Sequence, residues 1–69
     1  MDELAPADDL ERFYVHLQQT LVDIDFLDPD NPRQLMRRLR RMFNRSALDK
    51  NELNILRGIL TAAQKANRG

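Results

Sequence analysis

Residues 28–45 read DPDNPRQLMRRLRRMFNR, and this stretch determines how the chain on either side of it must fold. Pro29 and Pro32 fix their own φ angles and remove two amide donors, so they break any helix that precedes them. After Pro32 the apolar residues recur every three or four positions, within an arc of about 120° on a helical wheel. The pattern predicts an amphipathic helix near 32–45. Its apolar stripe contains Leu35, Met36, Leu39, Met42 and Phe43.

The opposite side of this helix carries six arginines and no acidic residue. The arginines spread over about 160° of the wheel. Like charges four residues apart destabilise a helix, and no acid within this helix lies at that spacing to offset them. Guanidinium groups match phosphate oxygens two at a time and stack on bases, so this composition favours a nucleic-acid partner and RNA in particular. We call these residues the arginine face: Arg33, Arg37, Arg38, Arg40, Arg41 and Arg45.

Helical spacing of apolar residues continues on both sides of this stretch. It predicts a first helix near 9–25 and a third near 50–66, and no segment alternates as a half-buried strand does. The prediction is an all-α fold, a small three-helix bundle-like domain with short connections. An acidic leader, 1–7, precedes a single helical domain, 8–69. The expected helix starts are the capping-box pairs Asp8 with Glu11 and Asp49 with Glu52, and Asn31 followed by Pro32 and Gln34.

The formal net charge of +0 hides a division between the two halves of the chain. Residues 1–30 have a balance of −8, and residues 31–69 a balance of +8. This asymmetry has two interpretations: a polyanionic partner for the basic half, or pairing of the two halves within the chain or across a dimer. A basic amphipathic helix also occurs on membrane surfaces, but here the bundle core needs its apolar side. The apolar residues outside the main stripes favour a second contact surface, and they are Val15, Val22, Ile55 and Ala62.

Composition limits the chemistry of 69 residues that lack cysteine and contain one histidine, His16. We expect no disulfide, no metal site and no cofactor in this chain. There is no glycine-rich phosphate loop and no nucleophile beside a base, so we also expect no catalytic residue. No apolar run is long enough to span a bilayer, and we expect a cytoplasmic protein.

Several strings resemble a known bacterial segment. They are FLDP at 26–29, NPR at 31–33, LMRRLRR at 35–41 and ILRGIL at 55–60, with Phe13-Tyr14 and His16-Leu17 in the first helix. Together they resemble the C-terminal helical extension of the bacterial tRNA (cytidine/uridine-2′-O-)-methyltransferases of the TrmJ family. The resemblance covers roughly residues 10–65.

The resemblance implies a parent enzyme whose N-terminal domain is a knotted methyltransferase domain of the SPOUT class. That domain would bind S-adenosylmethionine, form a homodimer and methylate the ribose 2′-hydroxyl of nucleotide 32 in the tRNA anticodon loop. The chain itself would help to hold tRNA. The residues expected to contact phosphates are Arg33, Arg37, Arg40 and Arg41 at the centre, flanked by Arg38 and Arg45. The alternative is a dimerisation or protein-interaction module in which the acidic and basic halves pair.

Overall fold

The computed structural model describes residues 3–68 and contains three helices. They are α1 (Ala7–Asp23), α2 (Arg33–Arg45) and α3 (Lys50–Arg68). The predicted all-α fold is therefore confirmed. The closest helix pair is α1 with α3, and α2 lies against them through its side chains.

Two of the three expected helix starts differ from the structure. Pro6 precedes the first turn of α1, no side chain caps that turn, and the expected Asp8–Glu11 capping box is wrong. Glu11 instead pairs with a residue of α2. The Asn31 cap is also wrong, because Pro32 already has helical dihedral angles and no side chain bonds to the first turn of α2.

The third helix start is confirmed as a capping box. The amide of Glu52 donates to Asp49 Oδ1 at 2.7 Å, and the amide of Asp49 donates to Glu52 Oε1 at 3.0 Å. The two side chains thus satisfy amides that the helix itself leaves without acceptors. Leu48 before the cap and Leu53 after it both belong to the core.

Part of the predicted leader pairs with the connection between α2 and α3. Leu4 and Asp49 form an antiparallel bridge. The amide of Ala5 donates to the carbonyl of Leu48 at 2.9 Å, and the amide of Lys50 donates to the carbonyl of Glu3 at 3.0 Å. Ala5 is buried. Residues 1–2 of the leader and residue 69 of the predicted domain lie outside the described residues.

The core is an aromatic and aliphatic cluster centred on α1. Phe13 is 1% exposed, and its ring meets Phe43 of α2 edge-on at 5.3 Å between centroids. From α2 the core takes Met36 fully and Leu35, Leu39 and Phe43 in part. Met42 is 45% exposed, so its assignment to the core was wrong. It lies at the edge of the apolar arc, beyond the reach of α1 and α3.

Hydrogen bonds between polar side chains join α1 to α3. Arg57 Nε donates to His16 Nδ1 at 2.8 Å, which leaves the proton of the neutral ring on Nε2, 3.0 Å from Gln64 Oε1. Gln64 Nε2 in turn donates to Asp23 Oδ2 at 2.9 Å. We call this series of four residues the seam. Hydrogen bonds from Gln64, and from Gln19 outside the seam, lower the pKa of Asp23 below the ordinary aspartate value.

Within residues 3–68, no helix is both long enough and apolar enough to cross a membrane.

Candidate nucleic-acid interface

The arginine face occupies α2 from its first residue to its last. Arg33, Arg37, Arg41 and Arg45 are each four residues apart and form a row along the helix. At 1.5 Å per residue the row is about 18 Å long, with about 6 Å between neighbours. Every member of the row is exposed, and so is Arg38 beside it. The helix therefore presents a line of guanidinium groups to solvent, as the wheel predicted.

Arg40 differs from the others because α1 neutralises it. Its Nη1 and Nη2 donate to Glu11 Oε2 and Oε1, both at 2.9 Å, and its guanidinium lies 4.6 Å from the centroid of the Tyr14 ring. The paired hydrogen bonds raise the pKa of Arg40 and lower the pKa of Glu11. The pairing of the acidic and basic halves within the chain therefore applies to Arg40.

The remaining arginines of the face have no such partner among residues 3–68. Among residues 3–68, ion pairs within 4 Å join Arg12 to Asp9, Arg40 to Glu11 and Lys50 to Glu3, and none involves the other five arginines. Like charges at i,i+4 along the row therefore repel without local compensation. A bound polyanion would remove that cost.

Two of the clefts that border the row share Arg37. The larger, of about 670 Å³, lies between the start of α2 and the loop after α1. The second, of about 460 Å³, lies between α2 and α1. Besides Arg37, the second cleft is lined by Gln18, Pro32, Arg33, Met36 and Arg40. The arginine face thus has concave surface on both sides.

The other basic residues of the second half of the chain lie on α3. Lys50 pairs with Glu3 at 3.0 Å, and Arg57 belongs to the seam. Lys65 and Arg68 are exposed in the last turn of α3. The basic surface is therefore concentrated on α2.

The side chains of Tyr14 and His16 make contacts within the fold. Burial raises the pKa of Tyr14, whose hydroxyl lies 2.5 Å from Asn44 Oδ1 on α2. His16 lies half-buried in the seam. In the part of the chain that the structure describes, no three His, Cys, Asp or Glu side chains are grouped as a metal site requires.

Sequence reasoning missed the exposed ring of Phe26, which lines the larger cleft beside the arginines. The residue follows the last apolar position of α1, so the helical pattern assigns it no face. An aromatic residue just before an Asp-Pro turn was the available signal.

Comparison with known proteins gives consistent matches. Residues 8–69 match the family model described as the C-terminal domain of tRNA methyltransferase TrmJ. Over 67 residues the chain is 63% identical to tRNA (cytidine/uridine/adenosine-2′-O-)-methyltransferase TrmJ of Pseudomonas aeruginosa, covering 97% of this chain and 26% of that protein. Over 63 residues it is 52% identical to tRNA (cytidine/uridine-2′-O-)-methyltransferase TrmJ of Klebsiella pneumoniae, covering 91% and 26%.

A solved structure is also similar to this chain. A probable methylase family protein from Haemophilus influenzae superposes with a TM-score of 0.84 at 32% identity, over 96% of this chain and 26% of that one. The chain thus spans about a quarter of the length of the relatives it matches.

Proposed function

Because the chain belongs to the family of tRNA methyltransferase TrmJ C-terminal domains, we propose that it binds tRNA for a catalytic domain elsewhere in the same enzyme. The observation that carries this proposal is the arginine face, where five exposed guanidinium groups lack an acidic partner among residues 3–68. Phosphate oxygens are the ligands that such planar, always-charged groups fit best. The domain would supply affinity and orientation rather than sequence choice.

The arginines of the face would make different contacts with RNA. The row from Arg33 to Arg45 would follow an RNA backbone, with Arg37 at the junction of the two clefts. Arg38 would contact phosphates from the side of the larger cleft. Arg40 would contribute less than its neighbours, because Glu11 already takes both edges of its guanidinium.

The proposal extends to the parent enzyme. Its reaction would be 2′-O-methylation of a tRNA ribose, at nucleotide 32 of the anticodon loop, in the cytoplasm and as a homodimer. S-adenosylmethionine would supply the methyl group in the N-terminal SPOUT-class domain. The present chain would take no part in the chemical step, and its residues would only bind and orient tRNA.

Fluorescence anisotropy with labelled tRNA at several salt concentrations tests the RNA-binding role. Each neutralised phosphate contributes about −0.7 to −0.9 to the slope of log affinity against log salt. We expect Arg37→Glu/Arg41→Glu to lower the affinity roughly a hundredfold and to make the slope shallower. Circular dichroism should show unchanged helicity, because both side chains are exposed.

A matched control carries the same change of net charge on another helix. Lys65→Glu/Arg68→Glu replaces two exposed cations in the last turn of α3. Its tRNA affinity should remain within a few-fold of the original. Equal losses in the two double variants would show a general charge effect and contradict a binding surface on α2.

A second candidate function is protein interaction through α3. Ile55 and Ile59 are 61% and 57% exposed, and Ala62 continues the same side of the helix. Gly58 lies within this stripe, and a Cβ added there meets no described atom within 4 Å, so no close helix crossing within residues 3–68 requires it. The stripe would dock a second copy or the parent's N-terminal domain.

Sedimentation at increasing concentration tests self-association through this stripe. Association that Ile55→Ser/Ile59→Ser abolishes would support the stripe as the contact. A monomer at all concentrations would restrict it to the parent domain. Pairing of the acidic and basic halves across a dimer predicts that salt, rather than the serine variants, dissociates the complex.

A further inference from the structure

The backbone after α1 holds Phe26 in a fixed position. The amide of Asp25 donates to the carbonyl of Val22 at 3.1 Å, and that of Phe26 donates to the carbonyl of Leu21 at 2.9 Å. Asp25 has a φ of 63°. These features define a Schellman motif with Asp25 at the left-handed position and Phe26 directly after it. The amide of Leu27 also donates to Leu21, at 3.0 Å, which restrains the chain on the far side of Phe26.

The side chain of Phe26 is not among the apolar side chains that pack against the core. It is 65% exposed, whereas the next residue, Leu27, is 4% exposed and belongs to the core. Burial of Leu27 directs the preceding side chain outward. The result is an aromatic ring held in solvent by an ordered backbone, at the cost of the burial energy that a phenylalanine normally contributes.

The ring borders the larger cleft, which also contains the densest part of the arginine face. Its volume is about 670 Å³. Three arginines line it together with two side-chain amides, those of Asn31 and Gln34. The complete lining is Phe26, Leu27, Asp28, Asn31, Gln34, Leu35, Arg37, Arg38 and Arg41.

The single carboxylate in the lining does not neutralise these arginines. Asp28 Oδ1 accepts a hydrogen bond of 2.9 Å from the amide of Asp30, and no ion pair within 4 Å joins Asp28 to an arginine of the described chain. The cleft therefore combines an exposed π face, free guanidinium groups and amides. This is the combination that an unpaired nucleotide requires: stacking for the base, cations for the phosphates and hydrogen bonds for the base edge.

We propose that this cleft binds one unpaired nucleotide of RNA, with its base stacked on Phe26 and its phosphates on Arg37, Arg38 and Arg41. The inference rests on the RNA-binding role proposed above and adds a preference for looped over fully paired RNA. A base inside a duplex is stacked on its neighbours and cannot cover the ring, whereas a loop base can. The rest of the row would contact the backbone of either kind of RNA.

A tryptophan at position 26 provides a direct probe of stacking. The chain contains no tryptophan, so the Phe26→Trp variant has a single indole, placed at the cleft. The probes are a hairpin RNA with an unpaired loop and a blunt-ended duplex of the same base composition. Val15→Trp is the matched control, since Val15 is 64% exposed on α1 and lines neither cleft. Anisotropy of labelled RNA records binding independently of tryptophan fluorescence.

We expect the hairpin to quench the indole fluorescence of the Phe26→Trp variant and the duplex to leave it nearly unchanged. Neither RNA should quench the indole of the Val15→Trp control. Phe26→Ala should weaken hairpin binding roughly five- to a hundredfold and leave duplex binding and the salt slope unchanged. Phe26→Tyr should restore hairpin affinity. Because position 26 is exposed, each variant should fold normally, and circular dichroism checks this.

Two other results would separate this inference from the function on which it rests. If both RNAs bind but the indole of Phe26→Trp is not quenched and Phe26→Ala binds the hairpin normally, the nucleotide site is wrong and the arginine face still binds RNA. If neither RNA binds at low salt, the RNA-binding role fails and the nucleotide site fails with it.

Discussion

The seam and the arginine face are both rich in polar side chains, but among residues 3–68 the seam pairs all of its side chains and the arginine face pairs only Arg40. In the seam, Arg57, His16, Gln64 and Asp23 bond in series from α3 to α1. On α2, Arg40 is the single member of the face with an acidic partner among residues 3–68. The two regions show that position decides the role of a cation: between packed helices it stabilises the fold, and on an outward arc it is available to a ligand.

The largest expected change in stability comes from a comparison of two phenylalanines. Phe13 lies in the core and is 1% exposed, whereas Phe26, which lines the larger cleft, is 65% exposed. We expect Phe13→Ala to lower the free energy of unfolding by about 3–5 kcal/mol, which removes most of the stability of a domain this small. Phe26→Ala should change it by less than about 0.5 kcal/mol. Urea denaturation followed by circular dichroism measures both, and comparable losses would contradict the assigned burial.

A smaller effect is expected when the seam is broken. His16→Ala removes the acceptor of Arg57 and the donor to Gln64 together. We expect it to lower the free energy of unfolding by about 1 kcal/mol, because both partners are half-buried and water can partly replace the ring. RNA affinity should remain unchanged. A loss of affinity without a loss of stability would indicate that Arg57 contacts RNA.

The contrast between these regions was only half visible in the sequence. Periodicity alone identified the three helices and the arginine arc, because both follow from positions three and four residues apart. The Asp49–Glu52 capping box was predictable for the same reason. Glu11 had the same spacing from Asp8, but a partner on another helix, Arg40, competes for its carboxylate.

Features that depend on tertiary packing could not be read from the pattern. The seam joins residues 41 and 48 positions apart, and no local rule pairs His16 with Arg57 or Gln64. The wheel placed Met42 in the core because it measures direction along one helix and not the reach of the others. Phe26 was missed because its exposure follows from the backbone motif at the end of α1. The RNA contacts of the arginine face and the domain boundaries stay predictions.

Acid should weaken the seam by protonating Asp23. Hydrogen bonds from Gln64 and Gln19 depress the pKa of Asp23 in the folded state. Its contribution is therefore present above the unfolded pKa, about 3.9, and is lost as the pH falls through the lower folded value. We expect the stability difference between the native chain and Asp23→Asn to be constant near neutral pH and to vanish in strong acid. Thermal denaturation from pH 7 to pH 2 measures it; a difference that grows on acidification would contradict the depressed pKa.

The smallest expected effect comes from converting a paired arginine into a free one. Glu11→Gln removes the charge that holds Arg40 through two hydrogen bonds of 2.9 Å, while the Tyr14 ring still supports the guanidinium. If the role of a cation depends on whether a partner within the chain holds it, the released Arg40 should join the arginine face. The slope of log tRNA affinity against log salt should then steepen by about 0.7–0.9, the contribution of one more phosphate contact.

The control must separate this contact from the loss of one negative charge. Asp8→Asn makes the same change of net charge on α1 at an exposed acid that forms no ion pair within residues 3–68. It should raise affinity slightly through the overall field and leave the number of contacts unchanged. Equal slopes for the two variants would mean that Arg40 does not reach RNA even when it is free. The position of an arginine on α2, and not whether an acid pairs with it, would then decide whether it binds RNA. Arg37 would bind RNA and Arg40 would not.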